Sequence, residues 1–285
     1  MNEIKEALLT GERALFQSKN LKIADSVFED GESPLKESRN LILQNDIFRW
    51  KYPLWYCQEI VAENITLLDT ARSGIWYTRN IDMKHSSIQA PKTFRRASQI
   101  NSEDVHFANA QETLWNCREV TLNQVRATGD YFAMNSQLLH AKNLSIIGNY
   151  AFDGASDLEI VQSKIISKDA FWNCQNVVVK DSVIVGEYLG WNLHNITFIN
   201  CTIESNQGLC YMENVELIDC KVIHTDLAFE YSTVKGQITT KVDSIKNPLA
   251  CELMVDGVDE LIMDDLSINH EKIKLMNLKG ESMYV

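Results

Sequence analysis

The sequence repeats about every 19.5 residues, and this period is the feature that most constrains its fold. An aliphatic or phenylalanine position recurs twelve times, with gaps of 18 to 21 residues. The twelve positions are Leu15, Leu35, Leu54, Ile75, Phe94, Leu114, Phe132, Phe152, Phe171, Leu189, Leu209 and Phe229. Such regular spacing is typical of repeat proteins, in which each unit packs on its neighbours.

Each unit contains two short apolar alternations separated by a polar pair. In one unit Asn176 precedes an apolar stretch, Asp181 and Ser182 follow it, and a second alternation comes next. Alternation with period two predicts strands, while Asn, Asp and Ser favour turns. A βαβ unit needs roughly 30 residues and does not fit this period. We therefore predict an all-β, single-domain parallel β-helix of about 12 coils, with 19–20 residues per coil and a cap at each end.

The ends of the chain depart from the repeat. We predict an N-terminal cap over residues 1–14, helix coils over 15–235, and degenerate coils or a C-terminal cap over 236–285. Terminal coils of a solenoid must be protected against edge-to-edge pairing. A leucine-rich horseshoe, with units of roughly 20–29 residues, stays open as an alternative.

Stacked coils place equivalent residues in columns, and the columns explain unusual features of the composition. The 23 asparagines suit amide ladders that run from coil to coil. Cys57, Cys117 and Cys174 share one column, where we expect small, buried and reduced side chains. The register also predicts that Val177 and Val179 point inward and that Val178 points to solvent.

Charge and composition exclude several classes of partner. The formal net charge of −12 argues against nucleic acid and anionic membrane, because both require a basic surface. No apolar run approaches the roughly 20 residues of a membrane span, and no secretion signal is visible, so we expect a cytoplasmic protein. No motif for a cofactor or a metal site occurs, although calcium held by exposed carboxylates stays open.

The variable part of each coil, which we call the variable arc, carries the residues whose side chains could bind or react with a substrate. The predicted catalytic carboxylates are Glu112, Asp130, Asp153 and Asp169. The predicted substrate-binding residues are Lys92, Arg95, Arg96, Trp115, Trp172, Glu187 and Trp191. Aromatic faces pack on sugar rings, paired carboxylates act at glycosidic bonds, and basic groups hold anionic substituents.

This mixture predicts a carbohydrate-binding or carbohydrate-active protein. Asp153 and Asp169 are then the expected acid and base, and Arg95 and Arg96 hold an anionic substrate group. The alternative is a non-catalytic scaffold whose aromatic residues anchor a protein partner. Outward tryptophans beside an open groove favour the first hypothesis, while inward tryptophans favour the second. The oligomeric state does not follow from the sequence.

Several segments of the variable arc resemble a bacterial domain-of-unknown-function family, family 3737. The resemblance covers about residues 8 to 262 and is carried by Gly31–Ser38, Tyr52–Cys57, Ala90–Arg96, Gly129–Phe132, Lys168–Cys174 and Leu227–Val234. That family is associated with pectin-lyase-like, right-handed parallel β-helices. The resemblance implies that fold and transfers no catalytic role. Segments of the polygalacturonase type are absent from the sequence, which argues against pectin cleavage by that mechanism.

Overall fold

The structure is a computed structural model that describes residues 1–283. By their internal contacts these residues form two units, Met1–Ile147 and a second unit from Gly148 onward. Both units are built almost entirely of short parallel strands. Since each unit repeats one strand pattern turn after turn, the prediction of an all-β parallel solenoid is confirmed.

The first unit contains sixteen strands. They are β1 Asn2–Lys5, β2 Leu8–Thr10, β3 Lys19–Ala24, β4 Val27–Glu29, β5 Arg39–Gln44, β6 Ile47–Phe48, β7 Gln58–Glu63, β8 Thr66–Leu67, β9 Ile75–Trp76, β10 Arg79–Ile88, β11 Phe94–Arg95, β12 Ser98–Phe107, β13 Arg118–Asn123, β14 Arg126–Thr128, β15 Gln137–Lys142 and β16 Ser145–Ile147.

The second unit contains ten strands and one short 3-10 helix. They are β17 Ser156–Val161, β18 Lys164–Ile166, β19 Gln175–Lys180, β20 Val183–Val185, β21 Leu193–Ile199, β22 Thr202–Glu204, β23 Met212–Ile223, β24 Thr233–Lys246, β25 Ala250–Ile262, the 3-10 helix His270–Lys272 and β26 Ile273–Asn277.

Strand pairing follows the repeat closely. One column of mutually paired residues in the first unit is Asn2, Leu21, Leu41, Ile60, Ile81, Ile100, Val120 and Leu139. Its counterpart in the second unit is Leu158, Val177, Ile196, Val215, Val234, Cys251 and Ile273. The two units contain about 15 turns in all, so the predicted count of about 12 is too low.

The turns that the prediction did not count lie at the two ends of the chain, where the repeat of leucine and phenylalanine positions is not found. β1 and β2 pair in register with β3 and β4, although residues 1–14 are expected to form a cap. β24 to β26 also pair in parallel, with a register shift within the β24–β25 pair. The proposed domain boundaries at residues 15 and 235 stay a prediction. In most turns a second strand follows the first after a two-residue corner, a feature that a leucine-rich horseshoe does not need.

The interior of the turns is filled by the column that defines the repeat. From Leu35 to Phe229 all eleven of its side chains are fully buried, whereas Leu15, in the turn of β1 and β2, is half-exposed. The cysteines Cys57, Cys117 and Cys174 are buried and unpaired, as predicted. Their thiols contact backbone carbonyls, as in the 2.9 Å contact of Cys174 Sγ with the Phe152 oxygen.

Amide ladders run along the corners of the turns. In the first unit the Asn40 amide donates to Asn20 Oδ1 at 2.6 Å. In the second unit Asn214 donates to Asn195 at 2.9 Å, and Asn195 donates to Asn176 at 3.1 Å. These asparagines have positive φ, between 53° and 64°, a conformation that Asn tolerates better than most residues. The predicted asparagine ladders are therefore present, and their backbone conformation explains the choice of residue.

Buried serines recur at the corner between the two strands of a turn and form a column from turn to turn, which we call the serine column. In one turn this position is occupied by an acid, Asp46. Ser26 and Ser86 accept a backbone N–H from the preceding turn and donate to the carbonyl two residues before them. Asp46 accepts from the backbone nitrogens of Ser26 at 2.9 Å and Gln44 at 3.1 Å. Burial, partly offset by these two bonds, raises the pKa of Asp46 to about 6. Among the described residues, no helix has the length and apolar character that crossing a membrane requires.

The register predicts unequal tolerance to charge at three adjacent valines. Val177 and Val179 are buried, while Val178 is half-buried on the outer surface. Val177→Asp and Val179→Asp should each lower the free energy of unfolding by about 3–5 kcal/mol, because each buries an unpaired charge. Val178→Asp should cost below about 1 kcal/mol. Urea unfolding of the three variants tests this, and equal losses would contradict the register.

Asp46 should make the stability depend on pH. Its pKa is raised in the folded state, so the unfolded chain releases the proton more readily and stability falls as pH rises from about 4 to about 6. The loss is complete above pH 6 and amounts to about 3 kcal/mol. Asp46→Ser, which restores the column residue, should remove this dependence. The stability of the variant relative to the parent should therefore rise by about 3 kcal/mol between pH 4 and pH 7, and a constant difference would contradict the assignment.

Candidate functional site

A column of stacked aromatic and arginine side chains lies on the outside of the first unit. The rings of Trp55 and Trp76 stack with centroids 5.2 Å apart and planes within 7°. The Arg95 guanidinium carbon follows, 4.7 Å from the Trp76 ring and 4.6 Å from the Trp115 ring. Each face of Trp76 is therefore covered by a neighbouring side chain. We call Trp55, Trp76, Arg95 and Trp115 the closed column.

An ion-pair cluster holds the arginine of the closed column in place. Glu112 accepts from Arg95 Nη2 at 2.8 Å and lies 3.1 Å from Lys92 Nζ. The Glu112 and Arg95 side chains are only 19% and 23% exposed, so water screens their pairing less than at an open surface. Asp130 lies one turn further on, where its backbone oxygen accepts from the Glu112 nitrogen at 2.9 Å. The predicted residues Lys92, Arg95, Glu112 and Trp115 thus meet, but they bind one another.

A second column lies beside the closed column in the first unit. Tyr56 and Tyr77 stack at 4.7 Å, the Arg96 guanidinium lies 6.0 Å from the Tyr77 ring, and Lys36 Nζ lies 5.7 Å from the Tyr56 ring. Arg96 is exposed and Tyr56 is 47% exposed. Of the predicted first-unit residues, Arg96 is the one most open to solvent.

The two carboxylates expected to act as acid and base lie on neighbouring turns of the second unit in different environments. Asp153 is half-buried and accepts from the Asn173 amide at 2.8 Å. Asp169 is buried, with 1% of its surface exposed. Burial raises the pKa of Asp169, while Lys168 and a hydrogen bond from Tyr150 partly offset that rise. A side chain with so little exposed surface offers no contact area to a sugar.

Trp172 and Glu187 lie on the same face of the second unit. The Trp172 indole nitrogen donates to the Tyr188 backbone oxygen at 3.1 Å, and the Tyr150 ring meets Trp172 edge-on at 5.8 Å. Glu187 lies 3.9 Å from Lys168, whose ammonium is also 5.2 Å from the Tyr188 ring. Trp172 is therefore fixed by the backbone, whereas Glu187 stays exposed.

Trp191 begins a more open column. Its ring is 46% exposed, tilts by 45° from Trp172 at 6.2 Å, and stacks on Tyr211 at 4.1 Å. Tyr211 continues to Tyr231 at 5.4 Å with a tilt of 43°. The Tyr231 hydroxyl donates to Asp265 Oδ2 at 3.0 Å, which anchors the end of the column. We call Trp191, Tyr211 and Tyr231 the open column, because Trp191 is exposed and the rings of Tyr211 and Tyr231 line a hollow.

Three hollows lie along the open column and beyond it. The small hollow has about 130 Å³ and is lined by Tyr188, Gly190, Trp191, Gln207, Cys210, Tyr211 and Glu230. The middle hollow has about 430 Å³ and is lined by Asn192, Leu193, His194, Tyr211, Met212, Glu213, Tyr231, Thr233 and Leu249. The large hollow has about 630 Å³, and its polar lining includes Asn195, Asn214, Glu216, Thr233, Lys235, Glu252, Glu271, Lys272 and Lys274.

Two amide ladders end at the walls of these hollows. Asn192 donates to Asn173, and Asn214 donates to Asn195, each at about the same length (3.1 Å and 2.9 Å). Within residues 1–283 no group donates to the Oδ1 atom of Asn192 or of Asn214, because the next residues in their columns are Tyr211 and Thr233. Asn192 lines the middle hollow and Asn214 the large one. Each ladder thus presents an unused acceptor to a cavity.

The hollows are also lined by residues that the sequence analysis does not predict to bind substrate, namely Tyr211, Tyr231, Glu230, His194 and Glu213. His194 Nδ1 and Glu213 Oε2 lie 2.9 Å apart on adjacent turns. Their spacing of 19 residues is the available signal, since residues one turn apart become neighbours. No cluster of three His, Cys, Asp or Glu side chains suited to a metal ion occurs in the part of the chain that the structure describes.

These features define a parallel β-solenoid with stacked aromatic columns on its outer surface. Residues 2–276 match the family DUF3737, described as a protein of unknown function, and the chain belongs to that family. The resemblance carried by the segments of the variable arc is thereby confirmed. A comparison with the curated proteins gave no match.

Three solved structures that are similar to this chain are distant from it in sequence. The tailspike protein of E. coli bacteriophage HK620, solved in complex with a pentasaccharide, is 12% identical over 91% of this chain and 59% of its own, with a TM-score of 0.36. The mannuronan C-5 epimerase AlgE4 A-module of Azotobacter vinelandii is 10% identical over 92% and 86%, with a TM-score of 0.28. HetL, a pentapeptide repeat protein of Nostoc, is 10% identical over 94% and 92%, with a TM-score of 0.25. The chain spans about three fifths of the tailspike chain that it matches, and none of these likenesses carries a function to it.

The closed column should depend on the planar guanidinium of Arg95. Arg95→Lys removes stacking on two indoles and part of the pairing with Glu112, and should lower the free energy of unfolding by about 1–2 kcal/mol. Arg96→Lys is the matched control, because Arg96 is exposed and contacts one ring at longer distance. It should cost below about 0.5 kcal/mol. Equal effects in thermal unfolding would contradict the sandwiched geometry.

Proposed function

We propose that this chain binds carbohydrate on the second unit, along the open column and the middle and large hollows. The observation that carries the proposal is the pair of unused amide acceptors, Asn192 in the middle hollow beside the rings of Tyr211 and Tyr231, and Asn214 in the adjoining large hollow. A sugar presents apolar C–H faces and hydroxyl donors on the same ring. Aromatic surface and fixed acceptors together suit that combination.

The sizes of the hollows are consistent with this assignment. Ligand pockets commonly have roughly 300–1,000 Å³, a range that includes the middle and the large hollow. The small hollow holds only about four water volumes and suits a substituent rather than a whole ring. The middle and large hollows share Thr233 as a wall residue, so they are neighbours. A chain of several sugar units therefore suits the surface better than a single free sugar does.

The charged groups at the walls favour a polyhydroxylated ligand over a purely anionic one. The large hollow is lined by three acidic and three basic side chains, and the middle hollow carries the His194–Glu213 pair. Both signs of charge are hydrogen-bonding partners for hydroxyl groups, which donate as well as accept. A uniform basic patch, which a polyanion would favour, is not what these walls contain.

Binding rather than cleavage is the activity we propose. The catalytic roles considered for Asp153, Asp169, Glu112 and Asp130 stay a prediction. Asp169 has no surface to contact a substrate, and Glu112 is engaged by Arg95 and Lys92. A catalytic acid must reach the leaving oxygen. Two of the four predicted carboxylates are therefore unsuited to that role, and the geometry supports recognition better than turnover.

The open column provides the direct test. Tyr211→Ala and Trp191→Ala should each weaken binding of the best ligand from a glycan array by about tenfold, corresponding to the loss of one aromatic contact of about 1.4 kcal/mol. Tyr56→Ala is the matched control, because Tyr56 is as exposed as Trp191 and is likewise stacked on another ring, but belongs to the first unit. Titration calorimetry with the selected oligosaccharide gives the affinities.

Two outcomes would reject the proposal. One is the absence of any glycan ligand across a broad array for a protein that is folded by circular dichroism. The other is an equal loss of affinity in Tyr56→Ala, which would move the site to the first unit. An oligosaccharide cleavage screen on the same ligands, with Asp153→Ala as a variant, tests the catalytic prediction separately.

The closed column favours a second candidate for the first unit, a non-catalytic scaffold. Its aromatic faces cover one another, so they supply rigidity rather than a sugar-binding surface. Exposed Tyr56 and Arg96 are residue types common at protein contacts. Loss of a protein partner on Tyr56→Ala, with glycan binding intact, would support this role.

A further inference from the structure

We propose that Cys201 and Cys220 form a peroxide-sensitive dithiol that closes a reversible disulfide between two adjacent turns of the second unit. This site is independent of the proposed sugar-binding surface. It rests on the placement of two thiols that neither the fold nor carbohydrate binding requires.

The two cysteines occupy the same position on successive turns. Ile199 pairs with Ile218 and Thr202 pairs with Lys221, so Cys201 lies opposite Cys220. The Lys221 nitrogen donates to the Cys201 oxygen at 2.8 Å. Neighbouring parallel strands are separated by roughly 4.8 Å, which falls within the roughly 4.4–6.8 Å between the Cα atoms of disulfide-bonded cysteines. Joining the sulfurs requires a small shift that brings the Cβ atoms from the strand spacing to the roughly 3.5–4.5 Å found in disulfides.

The two thiols have equivalent surroundings. Cys201 Sγ contacts the backbone oxygens of Val179 and Ile199 at 3.4 Å and 3.3 Å, and Cys220 Sγ contacts those of Phe198 and Ile218, each at 3.4 Å. The adjacent Cys201 thiol lowers the pKa of Cys220, and the Cys220 thiol in turn raises the pKa of Cys201. The thiolate is the nucleophilic form of cysteine, so Cys220 is the attacking sulfur and Cys201 the resolving one.

The other five cysteines provide the contrast. Cys57, Cys117 and Cys174 have serine, threonine, alanine or leucine one turn away, and Cys251 pairs with Val234 and Ile273. Burial raises the pKa of Cys57, Cys210 and Cys251 to about 12, 11 and 12 respectively. Cys201 and Cys220 are therefore the pair that the strand register places side by side, and Cys220 is the member whose pKa is lowered.

Oxidation balances with one molecule of hydrogen peroxide. The Cys220 thiolate attacks a peroxide oxygen, the O–O bond breaks, and a sulfenic acid and hydroxide form; the hydroxide takes up the thiol proton to give water. The Cys201 sulfur then attacks the sulfenic sulfur, the S–S bond forms, and a second water leaves with the Cys201 proton. The two thiols lose two electrons, which reduce the peroxide.

Both thiols are buried, so peroxide reaches them through local opening. Cys201 precedes β22, which has only three residues, and such short strands open at lower free energy than the whole unit does. The product would join the turn of β21 and β22 to β23. A bond formed within fixed strand spacing is strained, and strained disulfides are the readily reduced, regulatory ones.

The serine column supplies matched variants. Ser163 and Ser182, two and one turns before Cys201, donate to the carbonyl two residues back as the cysteines do. Cys201→Ser and Cys220→Ser should therefore fold, and Cys117→Ser is the control at an unrelated cysteine. Each reduced protein is treated with hydrogen peroxide and analysed by intact mass, non-reducing peptide mapping and thermal unfolding.

The parent and Cys117→Ser should lose two hydrogens, yield one linked pair of peptides containing Cys201 and Cys220, and gain several degrees in Tm that dithiothreitol reverses. Cys201→Ser and Cys220→Ser should give no such link. A different linkage, sulfinic or sulfonic products without a link, or no reaction in the folded parent would each overturn the proposal. Should a serine variant fail to fold, the linkage found in the parent still decides the question.

Discussion

In-register stacking of one turn on the next is the constraint on which every other feature depends. Backbone hydrogen bonds fix each turn over its neighbour, so a side chain meets the residue about 19 positions away before it meets anything else. The interior column becomes a continuous apolar core, and the corner asparagines become amide ladders. The chemistry of the outer surface is then decided by the space and the polar atoms that each column leaves unoccupied.

The outer columns of the two units differ in how far their side chains cover one another. In the closed column of the first unit, flat rings and one guanidinium cover each other, and Glu112 ties the arginine down. In the open column of the second unit, Trp191 and Tyr211 tilt relative to neighbouring rings beside two sizeable hollows. Similar residues thus give a column of mutually covered side chains in the first unit and, in the second, the surface for which we propose a ligand.

Much of this could be predicted from the sequence, and the limits are physical. The repeat defines which residues share a column, so the stacking of Trp55 on Trp76 and the amide ladder through Asn195 could be predicted from the sequence. The burial of Asp169 could not be predicted, because other residues of its column are exposed and side-chain packing decides which member of the column is covered. The tilt of Trp191 and the free acceptor of Asn214 likewise depend on the side chain that the next turn places beside each of them.

By itself the sequence determined the fold class, the inward column and the membership of each outer column, because a period of about 19.5 residues specifies which residues become neighbours. It undercounted the turns, since β1 and β26 lie outside the leucine and phenylalanine pattern. Only the tertiary structure decided which faces are covered and which hydrogen-bonding atoms are satisfied. Those properties depend on the angles between neighbouring side chains and on where each amide ladder ends. The spacing of residues along the sequence does not determine either of them.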